Sequence, residues 1–229
     1  MKRLDRSIRF IFFDLDNTLV HSDLAYAKAC RAIQIDPEGD EFLTARRAVK
    51  SRLPTGHVVA RNRLLYFKEY LSQKNMFSPG HLLQLTETYE SAMVKDIEAQ
   101  WHKLERQTLM ESLKKRFCLS IVTNENTRTQ LLKISAIDPM AKFFVDLTCS
   151  EEVGVEKPDP RIFHRALEKV GASPGESLFV GDSWLMDGEP ACKLGMQVVI
   201  SQEFIRDPVP EGLPIFQISN LNELEQLCQ

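Results

Sequence analysis

No two cysteines in the 229-residue chain stand at C-x-x-C spacing. The five that occur, Cys30, Cys118, Cys149, Cys192 and Cys228, are widely scattered and odd in number. That speaks against a zinc site or a redox pair and points to a reduced, cytoplasmic compartment. Long apolar runs are missing as well. The first one, residues 8–13, follows the basic start M-K-R-L-D-R and closes on Asp14. It is too short for a membrane span and does not form a signal peptide. Internal repeats and low-complexity segments are absent. The net charge of -3 leaves no global basic field for nucleic acid or an acidic membrane surface. With 27% charged and 43% hydrophobic residues, the composition is that of an ordinary globular protein. Its length suits one large domain or a core with an insertion.

Residues 9–20 read R-F-I-F-F-D-L-D-N-T-L-V. The nearly unbroken apolar run up to Phe13 is the pattern of a strand buried on both faces of a parallel sheet. It ends in Asp14 and Asp16. Side chains two apart on an extended chain point to the same side, so both carboxylates face one small volume if that path persists. Two such charges repel, and a bound cation is the natural compensation. The plainer alternative is a solvated loop in which Asp and Asn form a turn.

From about residue 23 to residue 98, helical spacing replaces strand alternation. Ala25, Ala29, Ala32 and Ile33 make a first apolar stripe, interrupted at Asp36-Pro37. Further helices are expected over residues 42–50 and 58–71, with a turn at Pro54-Thr55-Gly56 between them. Ser78 then reads as an N-cap with Pro79 in the first helical position, opening a helix that runs into the nineties.

Strands and helices alternate in the remainder. A helix is expected over residues 108–116. A short strand from Cys118 ends in Thr123-Asn124, a helix covers residues 127–135, and a strand covers residues 143–147. Asp159 and Pro160 begin a helix whose buried stripe is Ile162, Phe163, Ala166, Leu167 and Val170, stopped by Gly171. Ser173 to Glu176 has capping-box spacing and precedes a strand that ends in G-D-S-W-L-M-D, residues 181–187. Strands over residues 197–200 and 214–218 and a short helix over 221–227 close the chain. Thr123 on its own reads as β-propensity plus a local hydroxyl bond, and Lys157 on its own as a solvated surface group.

Taken in order, four stretches resemble the four motifs of the haloacid-dehalogenase-like (HAD) phosphohydrolases. They are Asp-x-Asp-x-Thr at residues 14–18, a strand ending in Thr123, Lys-Pro-x-Pro at residues 157–160, and Gly-Asp-x-x-x-x-Asp at residues 181–187. Each lies at or just beyond the carboxyl end of an expected strand, where ligands bind in such folds. Two positions depart from the pattern: Glu125 stands where many relatives have Gly, and the Gly188-to-Pro190 stretch is altered. The resemblance implies an α/β fold, a doubly wound parallel sheet with a Rossmann-like core, residues 1–20 and 101–229. It implies an all-helical C1-type cap, residues 21–100, inserted after the first strand.

The resemblance also implies chemistry. Asp14 would attack phosphorus and form an aspartyl-phosphate. Asp16 would protonate the leaving oxygen and then activate water. Asp14, the carbonyl of Asp16 and Asp182 would hold Mg²⁺, with Asp187 behind them. Thr123 and the amide of Asn124 would bind phosphoryl oxygens, and Lys157 would stabilise nucleophile and phosphate together. The implied reaction is hydrolysis of a small phosphorylated metabolite, with no nucleic-acid or membrane partner and a monomer or homodimer as the working unit. The phosphoglycolate, N-acylneuraminate phosphate and nucleoside monophosphate phosphatases are resembled about equally. A phosphosugar mutase and a catalytically weak HAD-like binding or regulatory protein remain as alternatives. Specificity is expected from the helical insertion, in the segment G-H-V-V-A-R-N-R, residues 56–63, with Arg61 and Arg63 as either anion ligands or solvated arginines.

Overall fold

The structure, a computed structural model, describes residues 4–212 and 215–228. Its centre is a six-stranded parallel sheet in the order β3-β2-β1-β4-β5-β6. The strands are β1 (Phe10–Phe13), β2 (Cys118–Thr123), β3 (Phe144–Cys149), β4 (Ser177–Gly181), β5 (Gln197–Ser201) and β6 (Phe216–Ile218). The expected start of the last strand, Pro214, lies outside the described residues. Ile11, Phe12 and Phe13 are all buried because β1 has a strand on each side and a packed layer on each face. Ile11 and Phe13 join one apolar layer, while Phe12 joins the other with Ile162, Phe163 and Phe179. That division is the two-residue period of a strand.

The chain leaves β1 for β2 and β3 on one side, then returns to β4, β5 and β6 on the other. The sheet order therefore reverses between β1 and β4. Loops leaving the two strands diverge there and open a crevice at their carboxyl ends. Asp14 follows β1 and Asp182 follows β4, so both carboxylates enter that crevice.

Between β1 and β2 lie five helices: α1 (Ser22–Ala32), α2 (Asp40–Lys50), α3 (Arg63–Gln73), α4 (Pro79–Lys103) and α5 (Arg106–Leu113). Boundaries differ from the sequence expectation at two of them: the helix expected over residues 108–116 is α5, Arg106–Leu113. The helix expected over residues 58–71 is split into a 3₁₀ turn, Val58–Arg61, and α3, because Asn62 turns extended and caps Leu64 with its side chain. α4 opens as expected, with Ser78 Oγ accepting from the His81 amide. It runs for 25 residues, past the expected domain limit at residue 100, and ends with Trp101 against Phe143. Phe42, Phe67 and Tyr89 pack ring on ring and hold α2, α3 and α4 together. Gln100 ties the two crossings of the insertion to each other. Its amide oxygen accepts from the His21 amide at 2.7 Å, and its NH₂ donates to the His21 carbonyl at 3.2 Å.

The remaining helices are α6 (Thr127–Ile137), α7 (Ser150–Val153), α8 (Pro160–Val170), α9 (Glu189–Lys193) and α10 (Leu224–Leu227). α8 is capped by Asp159 and stopped by Gly171 at φ 67°, a conformation glycine adopts without a Cβ penalty. Among the described residues no helix is long and apolar enough to cross a membrane.

A buried cation fastens together the segments that follow β1, β5 and β6. Arg106 is fully enclosed, donating to the Leu19 carbonyl at 3.2 Å, to Asn222 at 3.1 Å and to Glu203 at 2.6 Å. Truncation would leave Glu203 buried without its counter-charge. Arg106→Ala is therefore expected to cost roughly 3–5 kcal/mol of stability, read as a lower urea midpoint at unchanged m.

Candidate active site

Asp14, Asp16, Thr123, Asn124, Lys157, Asp182 and Asp187 all line one cleft of about 210 Å³ at the carboxyl ends of β1, β2 and β4. Carboxylate oxygens of Asp14, Asp182 and Asp187 lie within 4.8 Å of one another. Lys157 stands among them, its ammonium donating to Asp14 at 2.6 Å, to Asp187 at 2.6 Å and to the Val122 carbonyl at 3.1 Å. The lysine is buried, so the surface reading of it does not hold. Asn124 fixes its backbone from both sides: Oδ1 accepts from the Lys157 amide at 2.7 Å and Nδ2 donates to the Lys157 carbonyl at 2.9 Å.

The glycine of Gly-Asp-x-x-x-x-Asp has a steric cause. A Cβ on Gly181 would fall 2.4 Å from Asp187 Oδ2, so any side chain there would expel that carboxylate. The altered stretch that follows is a π-helical turn, Trp184–Gly188, leading into α9. Gly188 belongs to that turn, since a Cβ on it would meet the Trp184 ring at 2.5 Å. Ser183 and Asp207 hold the turn's entry. The Ser183 amide donates to Asp187, and Ser183 Oγ and the Trp184 amide donate to Asp207 at 3.1 and 2.6 Å.

Three carboxylates face one ammonium, and the balance is visible in the acidity of Asp14 and Asp182. Burial, opposed by Lys157 and aided by Asp187 and Asp16, pushes the Asp14 carboxyl up to about 7. Burial together with Asp14 and Asp187 pushes Asp182 up to about 8. An oxygen-only donor set with surplus negative charge suits a hard divalent cation such as Mg²⁺, with room for retained waters.

Asp16 sits in a different field. Lys133, buried on α6, pairs with Asp16 Oδ1, and Gln130 Nε2 donates to Asp16 Oδ2 at 2.7 Å and to Thr123 Oγ1 at 2.8 Å. Burial works against the charged form of Asp16, but Lys133 and these bonds override it and hold the carboxyl well below its usual range. Thr123 accepts through its oxygen, which leaves its O–H to donate into the cleft. Tyr26 completes the cluster, with its hydroxyl accepting from Lys133 and lying 3.4 Å from Asp16.

Lys133, Gln130 and Tyr26 belong to none of the four stretches and were not expected from the sequence. The available signal was spacing: Gln130, Lys133 and Ile137 fall on one face of α6, and that face is the buried one, while Leu131 is exposed.

Glu125, the departure after Thr123, is nearly fully buried, and its backbone stays out of the left-handed region a glycine would serve. Its side chain accepts from the Asn126 amide at 3.0 Å and forms an ion pair with Arg63 of the helical insertion. Asn126 caps α6 through the Thr129 amide at 2.9 Å. Arg61 reaches Glu156 in bidentate fashion at 2.9 and 3.3 Å. Arg61 and Arg63 thus each pair with a carboxylate of the core; Arg63 is largely enclosed, whereas Arg61 stays exposed to solvent.

Fold and site together define an α/β enzyme with an acidic, cation-seeking centre at the switch point of a parallel sheet. The haloacid dehalogenase-like hydrolase family model matches residues 8–192, and the chain belongs to that family. It is 30% identical to the glyceraldehyde 3-phosphate phosphatase of Pyrococcus furiosus over 85% of this chain and 80% of that one. It is also 30% identical to the ribulose-1,5-bisphosphate 5-phosphatase of Halopiger xanaduensis over 83% of each chain. Among solved structures, the HAD-hydrolase YfnB of Bacillus subtilis, bound to magnesium, superposes with a TM-score of 0.66 at 23% identity. That match covers 96% of this chain and 98% of that one, and shows the shared fold.

The acidity pattern sets an expected metal response. Carboxyls raised in the folded state favour it at low pH, and that contribution is lost as pH rises through about 7 to 8, where Asp14 and Asp182 ionise. Bound Mg²⁺ requires the ionised forms. The Mg²⁺-induced rise in melting temperature is therefore expected to be larger at pH 8.5 than at pH 6. A rise that shrinks with pH would exclude this ligand set.

Proposed function

We propose that the chain is a Mg²⁺-dependent phosphatase that hydrolyses the phosphate monoester of a small metabolite through an aspartyl-phosphate on Asp14. The observation that carries this reading is Lys157, buried and bonded at once to Asp14 and Asp187, beside a separate carboxylate, Asp16, held by its own lysine. An Asp14 oxygen attacks phosphorus, and the bond to the ester oxygen breaks. Lys133 holds Asp16 ionised before substrate arrives, so Asp16 takes up the proton of a monoanionic ester as the phosphate binds and then passes it to the leaving alkoxide. In the second half Asp16 takes a proton from water, the water oxygen attacks phosphorus, and the bond to Asp14 breaks, releasing phosphate. Lys157 offsets charge on Asp14 and the phosphoryl oxygens, and the Thr123 hydroxyl and Asn124 amide bind those oxygens. Asp14, Asp182 and the Asp16 carbonyl would hold Mg²⁺, with Asp187 behind them, supplying the charge compensation a dianion needs beside a carboxylate.

Residues 21–100 act as the cap that covers the cleft, with the pairs Arg61–Glu156 and Arg63–Glu125 holding it against the core. The two 30%-identical relatives carry names of phosphorylated carbohydrates, which supports a small phosphosugar as the substrate class.

Asp14→Asn is expected to lose at least ~10³-fold in kcat and to take no label from ³²P-substrate. Label retained by that variant would assign the nucleophile elsewhere. Exhaustive chelation is expected to abolish turnover of the unaltered enzyme.

Lys133 is the positioning residue for Asp16, and leaving-group dependence tests it. An alkoxide needs the proton that Asp16 delivers, whereas p-nitrophenolate leaves without one. Lys133→Met is expected to lower kcat/KM, which reports only the transfer to Asp14, by ~10²-fold for an alkyl phosphate and far less for p-nitrophenyl phosphate. An equal fall in kcat/KM for both would reduce Lys133 to a structural role.

A further inference from the structure

A second cavity, of about 260 Å³, adjoins the catalytic cleft on the side of the helical insertion, and Asp23, Tyr26, Arg61 and Arg63 wall both. Its far end is formed by α2, which contributes Arg46 and Lys50. These two are four residues apart and so share one helix face, an arrangement in which like charges repel. Arg61 and Arg63 are each matched by a carboxylate, Glu156 and Glu125. Arg46 and Lys50 are not: among the described residues, no carboxylate lies within ion-pair distance of either. Arg46 instead rests over the Tyr66 ring, 5.6 Å from its centroid, which fixes the guanidinium without neutralising it.

The acids that line this cavity do not reverse the balance. Asp23 is bound to Asn17 on the cleft side, at 3.0 Å, and Glu38 is exposed at the rim. The ammonium of Lys50 is held below its usual range by burial first, then by Arg46, Arg61 and Arg63, with Glu156 opposing. Positive charge has been gathered in a hollow next to a phosphoryl-transfer centre and left without a partner.

We propose that Arg46 and Lys50 are the anion-binding end of the substrate site, receiving a second phosphate or carboxylate on the leaving-group side of the molecule whose phosphate ester is cut at Asp14. This rests on the phosphatase reading and narrows its substrate class to small molecules with an anion at each end. Arg46 supplies a planar fork for two oxygens and Lys50 a point charge at the rim, while Tyr26, Tyr66 and Tyr89 wall the carbon chain between the two ends.

The test is a matched series: propyl phosphate, the phosphate ester of 3-hydroxypropanoate, and 1,3-propanediol bisphosphate. The unaltered enzyme is expected to favour one or both two-anion compounds over propyl phosphate by about tenfold or more in kcat/KM, mainly through KM. The compound that gains shows which anion the cavity takes. In the Arg46→Gln/Lys50→Gln protein that ratio is expected to collapse to about twofold or less. Equal kcat/KM across the series in the unaltered enzyme would overturn the proposal without any variant, as would a ratio that survives the double substitution. If no compound were hydrolysed, the phosphatase reading would fail on its own. Calorimetric binding of 1,3-propanediol bisphosphate against propyl phosphate would then decide the cavity: tighter binding of the bisphosphate supports it, and equal binding overturns it.

Discussion

The structure turns on an imbalance of buried charge. Asp14, Asp182 and Asp187 crowd one point, and a single ammonium, Lys157, is available to them. Several otherwise unrelated features serve that arrangement. Gly181 lacks a side chain so that Asp187 can come in. Asn124 grips the backbone of Lys157 so that its ammonium arrives at the right depth. The π-helical turn after β4, whose entry Asp207 holds through Ser183 Oγ and the Trp184 amide, and the Ser183 amide that donates to Asp187 keep Asp187 turned inward. A surplus of oxygen donors and negative charge remains, and a divalent cation is the simplest way to balance it.

Beside this centre, Asp16 is kept in separate company. Lys133 and Gln130 reach it from α6, and Gln130 also touches Thr123. Two carboxylates two residues apart thus shift in opposite directions: burial prevails at Asp14, while at Asp16 Lys133 and hydrogen bonds outweigh it. A nucleophile and a proton donor need the reverse, so the proposed roles require a bound cation to ionise Asp14 and the bound ester to supply Asp16 with its proton. Further out, Glu125 and Glu156 accept Arg63 and Arg61, so the helical insertion meets the core through charges placed at the mouth of the cleft.

Much of the architecture was legible in the sequence because its signals are local. The apolar run before Asp14, the Asp159-Pro160 helix start and the Gly171 stop each depend on a few neighbouring residues. Asp14, Thr123, Lys157 and Asp182 were legible through the four motif stretches, each at or just beyond the carboxyl end of a strand, although Thr123 and Lys157 taken singly read as a strand residue and a surface group. Lys133 was not, because α6 reverses the usual distribution: it buries Gln130 and Lys133 and exposes Leu131. A reader of apolar periodicity puts that helix the wrong way round. Glu125 was read as a missing glycine, whereas its side chain is spent on a pair with a residue 62 positions earlier, Arg63, a relation that no local pattern contains. The split at Asn62 was hidden for the opposite reason, since one side-chain cap outweighed an otherwise continuous helical pattern.

The central position of β1 has a consequence for how the protein is made. Phe10 finds its neighbours at Cys118 and Ser177, on either side. At about 5–20 residues per second, a ribosome needs several seconds or more to supply the first of these strands, and longer for the second. During that interval β1 is a short, nearly all-apolar segment with both edges unpaired, the kind of surface that invites intermolecular pairing. The helices between β1 and β2 emerge in the meantime, and their contacts are largely local, which favours rapid formation. β1, which carries Asp14 at its end, is therefore translated before both of its partners and completed late, so the interval before β4 arrives is when the nascent chain most needs protection from its neighbours.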